Sequence, residues 1–307
     1  MKKDLVSILD LSVKDIEGIF SLAFEMKKDK AKFSSALSGK TLALIFQKPS
    51  NRTRVSFEVG MYQLGGYSIY LSPSEINLGV REAVADVAKT LSRYVSGIVL
   101  RTFEHKIILE MADAASIPVI NGLSDFSHPC QALSDIFSLR ERFGNLKGKT
   151  LVYIGDSNNV CTSLLFVSAK LGLNMRVASP KGYTPSPLVL KTAQDLAKGS
   201  GSCIEIFSQP RKAVLDADIL YTDVWVSMGQ EKEAEKRKKD FKGFQLNKRL
   251  VELAAKDALI MHCLPCHRNE EITDEVVDSK NSIVFDQAEN RLHVQKAILL
   301  RLLGEKK

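Results

Sequence analysis

The sequence lacks long apolar runs and a recognisable export signal. None of its apolar stretches approaches the roughly 20 residues that a helix needs to span a bilayer, so we expect no membrane partner. The first residues contain neither a sustained apolar core nor a small-residue cleavage site, so we expect no signal peptide and a cytoplasmic protein. With 307 residues, 45% apolar and 26% charged, the chain has the composition of a soluble globular protein and room for two domains.

Cysteine is scarce and odd in number. Five cysteines in a chain without an export signal favour free thiols over a disulfide framework. Residues 263–267 read Cys-Leu-Pro-Cys-His, a spacing also found where c-type haem is attached, and His262 adds a potential zinc ligand. Haem attachment belongs to exported proteins, and a zinc site would need a second ligand pair at a recognisable spacing. We therefore expect neither a metal nor another cofactor.

Acidic residues are outnumbered by basic ones, which gives a net charge of +7. Much of the excess lies in residues 236–239, Lys-Arg-Lys-Lys, and no aromatic side chains alternate with them as a base-stacking surface would require. We interpret this run as the solvated face of a helix or loop and expect no nucleic-acid partner. The remaining positive charge suits a small anionic substrate.

Short apolar runs alternate with helical periodicity along the whole chain, which predicts parallel sheets with helices on both faces. The fold class is therefore α/β, with two doubly wound domains. We predict a first domain over residues 1–143, a second over residues 144–286, and a C-terminal helix, 287–307, that packs back on the first domain. Strands are expected at 41–46, 67–71, 97–101, 117–120, 150–154, 174–178, 203–207, 218–222 and 258–262, with a final strand at 282–285.

The start of one helix has the features of an anion site. Residues 50–54 read Ser-Asn-Arg-Thr-Arg and lie between an apolar run and an amphipathic helical pattern. A Ser N-cap, free backbone N–H groups and two guanidinium groups at a helix start favour a phosphate. No Gly-rich run precedes the segment and no Gly-Lys-Ser/Thr follows, so it is not a Walker loop. The alternative is a capped, solvated helix start with two surface arginines.

Polar clusters follow the predicted strands at their carboxyl ends. In open α/β sheets ligands bind beyond these ends, so the clusters predict a single interdomain cleft as the site. The clusters are residues 50–54, 101–102, 128–131, 158–159, 223–225 and 262–265.

The two domains contribute different chemistry to this predicted cleft. The first-domain set is rich in hydrogen-bond donors and has no acid, so it can hold a phosphate and polarise a carbonyl. The second-domain set mixes acceptors with neutral polar groups and suits a zwitterionic amine. Together they suggest group transfer from a phosphate compound onto nitrogen. A purely structural role stays open for several residues: a core histidine for His128, an ion-pair partner for Arg101, an inert thiol for Cys263 and a turn cap for Asp223.

Several motifs carry a resemblance to a known family. Residues 46–54 resemble the F-x-K-x-S-T-R-T-R carbamoyl-phosphate motif of the carbamoyltransferases, and residues 128–131 match their H-P-x-Q motif. Residues 223–229 and 262–265 match the D-x-W-x-S-M-G and H-C-L-P motifs that separate the ornithine enzymes from the aspartate ones. Glu-Asn-Arg at 289–291 fits the same family. The similarity spans nearly the whole chain, which is thus identified as a member of the ornithine carbamoyltransferases.

The resemblance implies roles for individual residues. The residues expected to bind carbamoyl phosphate are Ser50, Arg52, Thr53, Arg101, His128, Gln131 and Arg291, with the backbones of Asn51 and Arg54. Those expected to bind ornithine are Asn159, Asp223, Ser227 and, through its backbone, Met228. Cys263 and Leu264 are expected near the reacting amine and the carbonyl of carbamoyl phosphate. The implied catalytic residues are Arg101, His128, Asp223 and Cys263, and the implied assembly is a homotrimer, or a multiple of trimers, with sites between subunits.

Two residues depart from the family pattern. Asn51 replaces the usual Thr, which is tolerable if the backbone does the binding. Asn77 stands where the family has Gln or His reaching the phosphate of a neighbouring subunit, and Asn is shorter. The segment after the S-M-G motif, residues 230–240, is interpreted as a mobile lid.

The expected function is carbamoyl transfer to the side-chain amine of L-ornithine, which gives L-citrulline and phosphate in arginine metabolism. One alternative is a carbamoyltransferase for another amine, such as putrescine or N-acetylornithine. The partners that residues 223–229 offer to a free α-amino group and α-carboxylate disfavour it. The other alternative is a non-catalytic relative on the same fold, because a fold alone does not establish a function. The intact Arg52, His128 and Cys263 argue against this second alternative.

Overall fold

Two parallel sheets organise the chain, and each lies in its own unit. In the computed structural model, which describes residues 1–304, one unit comprises Met1–Phe137 with the chain from Glu289 onward. The other unit comprises Ser138–Ala288. The predicted α/β class with two parallel-sheet domains is confirmed. The boundaries expected after residues 143 and 286 remain a prediction.

The first sheet has the strand order β2-β1-β3-β4, with all neighbours parallel. Its chain order reverses between β1 and β3, which lie side by side, and this reversal is the position where open α/β sheets bind ligands. Strand β3 is buried along its whole length, whereas β2 lies at an edge and is partly exposed. The strands are β1 (Thr41–Phe46), β2 (Tyr67–Leu71), β3 (Gly97–Arg101) and β4 (Val119–Leu123).

Strand β4 begins and ends later than the sequence indicated. The apolar residues at 117–120 predict a strand there, but pairing with β3 starts at Val119 and continues beyond Asn121. Asn121 is accommodated because its buried amide donates to the carbonyl of Val6 at 2.9 Å. Asn121, whose polarity suggests that the strand has ended, therefore lies within β4.

Two helices of the first unit begin at serine N-caps, one of which, Ser50, is the cap that the sequence predicts. Ser12 and Ser50 each accept a hydrogen bond from a backbone N–H in the first turn of their helices. The apolar stripe expected along residues 82–95 buries Val84, Val87 and Ala88. The helices are α1 (Val13–Lys28), α2 (Asn51–Gln63), α3 (Pro73–Ile76), α4 (Val84–Leu91), α5 (His105–Ala114) and α6 (Pro129–Phe143).

The second sheet has the order β7-β6-β5-β8-β9, again with parallel neighbours. Its chain order reverses between β5 and β8. The strands are β5 (Thr150–Ile154), β6 (Asn174–Ala178), β7 (Ile204–Phe207), β8 (Ile219–Thr222) and β9 (Leu259–His262). The helices are α7 (Asn159–Leu171), α8 (Pro187–Ser200), α9 (Pro210–Ala213), α10 (Ala234–Asp240), α11 (Lys248–Val251) and α12 (Asp274–Val277).

The last helix, α13 (Val284–Leu303), starts earlier than predicted, and the expected strand at 282–285 is wrong. Residues 305–307 of the predicted helix lie outside the described residues. Only Ser282 forms a bridge to the sheet, opposite Ile260, before the chain turns into the helix. The apolar residues at 283–285 predict a strand, but Phe285 lies on the helix and is 70% exposed.

The expected packing of the C-terminal helix on the first domain is confirmed. Lys296 lies beside Gly60 of α2, and its Nζ donates to Gln63 Oε1 at 3.0 Å. The side chain of Leu303 fills the space beside Gly97 at the start of β3. Among residues 1–304, none of the helices combines the length and apolarity that a bilayer crossing needs.

Candidate active site

Side chains at or beyond the ends of β1, β3 and β4, together with Arg291 of α13, form a buried basic cluster in the first unit. Its members come from distant parts of the chain, and each is mostly shielded from solvent except Arg52, which is half-buried. The cluster contains no carboxylate and three guanidinium groups, as an anion site requires. We define the basic cluster as Arg52, Thr53, Arg101, His128, Gln131 and Arg291.

The N-terminus of α2 supplies the backbone part of this cluster. Ser50 Oγ accepts from the N–H of Thr53 at 3.3 Å, so the predicted N-cap is present. The N–H groups of Asn51 and Arg52 have no acceptor within the helix, because the first turn of any α-helix leaves such donors. The Arg54 side chain points elsewhere: it stacks on the ring of Tyr70 at 3.7 Å. Arg54 can therefore contribute to an anion site through its backbone but not through its side chain, in line with the expectation from the sequence.

Arg291 links the basic cluster together. Its Nη1 donates to Gln131 Oε1 at 2.5 Å, and its Nη2 donates to Thr53 Oγ1 at 3.1 Å. The Gln131 amide in turn donates to the buried Asp135 at 2.7 Å. Asp135 was missed by the sequence reasoning, although its spacing of four residues from Gln131 places both on one helix face. The chain of bonds fixes the direction of the Arg291 guanidinium.

His128 lies among the arginines and is held neutral. Burial lowers its pKa well below the ordinary 6.5, and the positive charges of Arg291, Arg101 and Arg52 lower that pKa further. A neutral imidazole can donate one hydrogen bond to a carbonyl without adding a fourth positive charge to the cluster. The basic cluster thus combines positively charged arginines, which can bind an anion, with a neutral histidine, which can donate a hydrogen bond.

The second unit holds a carboxylate at the corresponding place in its own sheet. Asp223 follows β8 and is 6% exposed. Its Oδ2 accepts from the amide of Asn158 at 2.7 Å, and its Oδ1 accepts from the Cys263 thiol at 3.0 Å and from the N–H of Val224 at 2.8 Å. Asn158 also caps α7 through its Oδ1. We call Asp223, Asn158 and Cys263 the carboxylate cluster; it joins the ends of β5, β8 and β9.

Asn158 is a site residue that the sequence reasoning passed over in favour of its neighbour. Asn159 is the first residue of α7 and is half-buried at the same strand end. The Asn158 amide donates a hydrogen bond to Asp223, and its Oδ1 accepts one from the hydroxyl of Tyr153 at 3.2 Å. Burial, and then the charge of Asp223, raises the pKa of Tyr153 well above 10, so its hydroxyl stays protonated and donates.

The S-M-G turn lies beyond β8 and is closed by residues that follow it. The Ser227 N–H donates to Gln230 Oε1 at 3.1 Å, and the Gly229 N–H donates to both carboxylate oxygens of Glu231 at 2.9 and 3.0 Å. Met228 is 44% exposed at the tip. Trp225, just before the turn, is buried and stacks on Phe241 with ring centroids 5.7 Å apart. A ligand can therefore reach the turn at Ser227 and Met228, whereas Trp225 packs in the core.

The basic run at 236–239 is only partly the solvated face that its composition suggested. Arg237 is 6% exposed and points inward, where its Nη1 donates to Asp156 Oδ2 at 2.7 Å and to the Trp225 carbonyl at 3.1 Å. Lys236, Lys238 and Lys239 are exposed, as expected. The prediction was wrong for Arg237 because charge composition cannot distinguish one inward position on a short helix from its neighbours.

The H-C-L-P loop is held from beneath by a buried glutamate. His262 Nδ1 accepts from the N–H of Leu264 at 2.9 Å, so the proton of the ring lies on Nε2, which is 3.2 Å from Glu271 Oε1. The same oxygen accepts from the N–H of His267 at 2.5 Å. Glu271, fully buried, thus ties both ends of the loop that presents Cys263 and Leu264. Glu271 was not singled out in the sequence.

Among residues 1–304, Cys263, Cys266 and His267 of the Cys-Leu-Pro-Cys-His segment do not come together as one set of metal ligands; His267 lies instead near Glu270 and Glu271. Ligand atoms of Asp223, His262 and Cys263 lie within 4.8 Å of one another, but Cys266 does not join that group. Both ring nitrogens of His262 already face protein partners, Leu264 and Glu271. The donor set therefore fits an organic cation better than a metal ion.

Asn77 occupies a backbone position that explains its residue type. It ends α3 with φ of 41°, in the left-handed region, and its side chain is exposed. Asn is several-fold enriched there, whereas most longer side chains avoid it. The departure from the family pattern thus has a local conformational reason.

Comparisons with known proteins match the two halves of the chain to two different domains. The family description "Aspartate/ornithine carbamoyltransferase, carbamoyl-P binding domain" matches residues 3–141, and "Aspartate/ornithine carbamoyltransferase, Asp/Orn binding domain" matches residues 147–302. A curated relative from Pyrococcus furiosus named "Ornithine carbamoyltransferase, anabolic" is 52% identical over 98% of this chain and 96% of its own length.

Solved structures show the same relationship. The ornithine carbamoyltransferase structure from Pyrococcus furiosus has a TM-score of 0.95 and 52% identity, and the match covers 99% of this chain and 98% of that one. An acetylornithine transcarbamylase complexed with acetylcitrulline has a TM-score of 0.90 at 30% identity, covering 99% of this chain and all of the other. With both family descriptions matched and half of all residues shared with such relatives, the chain belongs to the aspartate/ornithine carbamoyltransferase family.

Proposed function

We propose that this protein transfers the carbamoyl group of carbamoyl phosphate to the side-chain amine of L-ornithine, giving L-citrulline and phosphate. The observation that carries the proposal is the carboxylate cluster: a buried Asp223 whose oxygens are held by Asn158 and the Cys263 thiol, at the end of β8. Such a carboxylate recognises an amino group. The basic cluster of the first unit supplies the matching anion site.

The basic cluster is proposed to bind carbamoyl phosphate. Arg52 and Arg291 match phosphate oxygens with their planar guanidinium forks, and the α2 N-terminus adds backbone donors at Asn51 and Arg54. Arg101 and the neutral His128 are proposed to donate to the carbamoyl carbonyl, where negative charge develops as the amine attacks. The remaining ligands in this proposal are Ser50, Thr53 and Gln131, with Asn77 reaching a neighbouring subunit.

The second unit is proposed to bind ornithine. Asp223 accepts from an amino group of the substrate, and Asn159, Ser227 and the Met228 backbone hold its α-amino and α-carboxylate groups. Cys263 and the Leu264 backbone lie at the end of β9, where the reacting nitrogen is expected. In the transfer a C–N bond forms between the neutral amine and the carbamoyl carbon, the bond from that carbon to the phosphate oxygen breaks, and the proton that the amine loses ends on the released phosphate.

Two rivals are separated from this proposal by one assay. Purified protein is incubated with carbamoyl phosphate and, in parallel, ornithine, putrescine or N-acetylornithine, and the carbamoylated product is quantified. We expect ornithine to give a kcat/KM at least about a hundredfold above either rival, because a polar site leaves its own groups unpaired with an analogue that lacks the matching ones. Preference for another amine would reassign the acceptor, and no product from any amine would favour the non-catalytic relative.

We further propose a biosynthetic, cytoplasmic enzyme of arginine metabolism that assembles as a homotrimer or a multiple of trimers. The word "anabolic" in the name of the Pyrococcus furiosus relative supports the direction. Light scattering of the purified protein tests the assembly, since the mass of the chain is 34.0 kDa and a trimer gives three times that value.

A further inference from the structure

One buried arginine outside the family motifs contacts both strand ends that carry the amine site. Arg237 lies on α10, in the segment 230–240 that follows the S-M-G turn. Its guanidinium donates to Asp156, which follows β5, and to the carbonyl of Trp225, which follows β8. Its Nε donates to Glu233 at 3.0 Å on its own segment. One side chain therefore joins three pieces of backbone.

These contacts place Arg237 where it controls the S-M-G turn. Trp225 lies two residues before Ser227, so the bond to its carbonyl fixes the chain where the turn begins. The end of the turn is held by Glu231 at the Gly229 N–H, and Arg237 anchors the segment that carries Glu231. The turn is thus held from both sides, and Arg237 contributes to both supports.

The charges around Arg237 bear on the same site. Burial raises the pKa of Asp156, the bond and charge of Arg237 oppose that rise, and the charge of Asp223 adds to it. Arg237 therefore counters part of the effect of burial on Asp156 and, through their ion pair at 2.7 Å, offsets the charge of that carboxylate beside Asp223. An amino group that binds Asp223 then meets one uncompensated carboxylate.

The run of four basic residues contains its own controls. Lys236 pairs with Asp240 at 2.9 Å and Lys238 pairs with Glu270 at 2.9 Å, both at the surface. Lys239 is exposed. Only Arg237 of these four is buried and reaches the strand ends.

We propose that Arg237 is a positioning residue for the acceptor amine: through Asp156 and the Trp225 carbonyl it fixes the S-M-G turn that binds ornithine. The inference rests on the function proposed above. It concerns the amine half of the reaction alone, so removing Arg237 affects the use of ornithine and spares the binding of carbamoyl phosphate.

Steady-state kinetics of Arg237→Gln and Arg237→Lys, with Lys239→Gln as the matched control, test the proposal. We expect Arg237→Gln to raise the KM for ornithine at least about tenfold and to change the KM for carbamoyl phosphate less than about twofold. Arg237→Lys should not rescue, because a lysine cannot reach three acceptors with one planar fork. Lys239→Gln should match the wild type. Equal rises in both KM values, or an unchanged KM for ornithine, would overturn the assignment.

Asp156→Asn supplies a second arm if Arg237→Gln does not fold. It removes the ionic partner but keeps the shape, so we expect a smaller rise in the KM for ornithine alone; no rise contradicts the proposal. Where both variants fold, the double variant should resemble Arg237→Gln, since the two act through one contact. Fully additive effects contradict it.

A measurement without turnover separates this inference from the proposed function. A Glu-specific protease can cut after Glu231, Glu233 and Glu235. We expect Arg237→Gln to be cut in this segment at least about tenfold faster than the wild type and Lys239→Gln. If no amine is carbamoylated, the proposed function fails, and the cleavage rates alone then decide: unchanged rates reject the role of Arg237 in holding the segment.

Discussion

The Cys263 thiol donates to Oδ1 of Asp223 at 3.0 Å, although 39 residues separate them in the chain. The two side chains meet because β8 and β9 are parallel neighbours whose carboxyl ends lie side by side. With Asn158 on the other carboxylate oxygen, both oxygens of Asp223 are oriented before any ligand arrives. An amino group that enters this place meets a carboxylate that has little freedom to lose.

The pH dependence of the reaction follows from this arrangement. In the proposed reaction the nucleophile is the neutral side-chain amine of ornithine, whose pKa in solution lies near 10.4, so about one molecule in 2,500 is neutral at pH 7. At subsaturating ornithine we expect the rate to rise about tenfold per pH unit below the controlling pKa. Initial rates between pH 6 and 8 at fixed low ornithine measure this slope, and a flat profile would contradict it.

Asp223→Asn tests the carboxylate itself. The substitution keeps the shape but removes the anionic partner of the substrate amino group, so we expect most of the citrulline formation to be lost. The matched control is Asp216→Asn, at an exposed turn before β8, which should be nearly silent. An active, folded Asp223→Asn variant would show that the charge is dispensable.

Arg52 is expected to bind phosphate through its planar fork. Arg52→Lys keeps the charge but loses the bidentate geometry, and we expect a loss of at least about a hundredfold in turnover, as when one preorganised donor is removed from an active site. Arg93→Lys, at an exposed position of the same unit, serves as the control. Nearly normal kcat in Arg52→Lys would remove Arg52 from the list of phosphate ligands.

The two cysteines of the Cys-Leu-Pro-Cys-His spacing should behave differently. Cys263 contacts Asp223, whereas Cys266 packs against the hydrophobic core of the second unit. We expect Cys263→Ala to impair the use of ornithine and Cys266→Ala to be nearly silent. The purified protein should be colourless and remain active after chelator treatment. A Soret band, or activity lost to chelator and restored by zinc, refutes this interpretation.

His128 should make the stability of the protein depend on pH. Its folded pKa lies well below the ordinary value of 6.5. Below about pH 6.5 the unfolded chain takes up a proton that the folded chain does not, so the stability falls as the pH falls, by up to about 1.4 kcal/mol per pH unit. Above that pH the contribution is constant.

The comparison of wild type with His128→Gln isolates this effect. The other buried histidines are common to both proteins, so their contributions cancel in the difference. Urea unfolding at pH 7.5, 6 and 5 should show the wild type losing more free energy of unfolding than the variant. A difference that does not change with pH would mean that His128 titrates normally in the folded protein.

Glu271 should matter for stability more than its surface neighbours do. Glu271→Ala leaves the Nε2–H of His262 and the N–H of His267 without their acceptor, and the buried donor of His262 alone costs about 1–3 kcal/mol. Glu271→Gln keeps one oxygen for these donors and should be milder. The exposed Glu275→Ala is the control. Equal free energies of unfolding for Glu271→Ala and Glu275→Ala would contradict this account.

The sequence predicted the sheet architecture well because buried parallel strands leave an unmistakable apolar signature. Runs such as 41–46 and 150–154 coincide with β1 and β5. The pattern failed where burial and residue type disagree. Asn121 is polar but lies inside β4, and Phe285 is apolar but lies on an exposed helix face.

The motifs contain most members of the basic cluster and the carboxylate cluster, whereas the residues that support these clusters were not predicted, for a physical reason. Asp135 and Glu271 bond to residues four to nine positions away, but their sequence context does not show that they are buried. For Arg237, nothing in the local sequence indicates a partner about 80 residues away, as Asp156 is. A charged residue in a helical pattern looks solvated until the fold shows which of its neighbours turn outward. Contacts of this kind require coordinates.

The reversal of strand order in each sheet has a consequence for how such enzymes diversify. Most of the proposed anion donors follow β1, β3 and β4 of one sheet, whereas the proposed amine partners follow β5, β8 and β9 of the other. Substitutions in the second group of loops can exchange one acceptor for another and leave the carbamoyl donor untouched. Evolution can therefore keep the binding of the carbamoyl donor unchanged and alter the acceptor amine by changing only the loops that follow β5, β8 and β9.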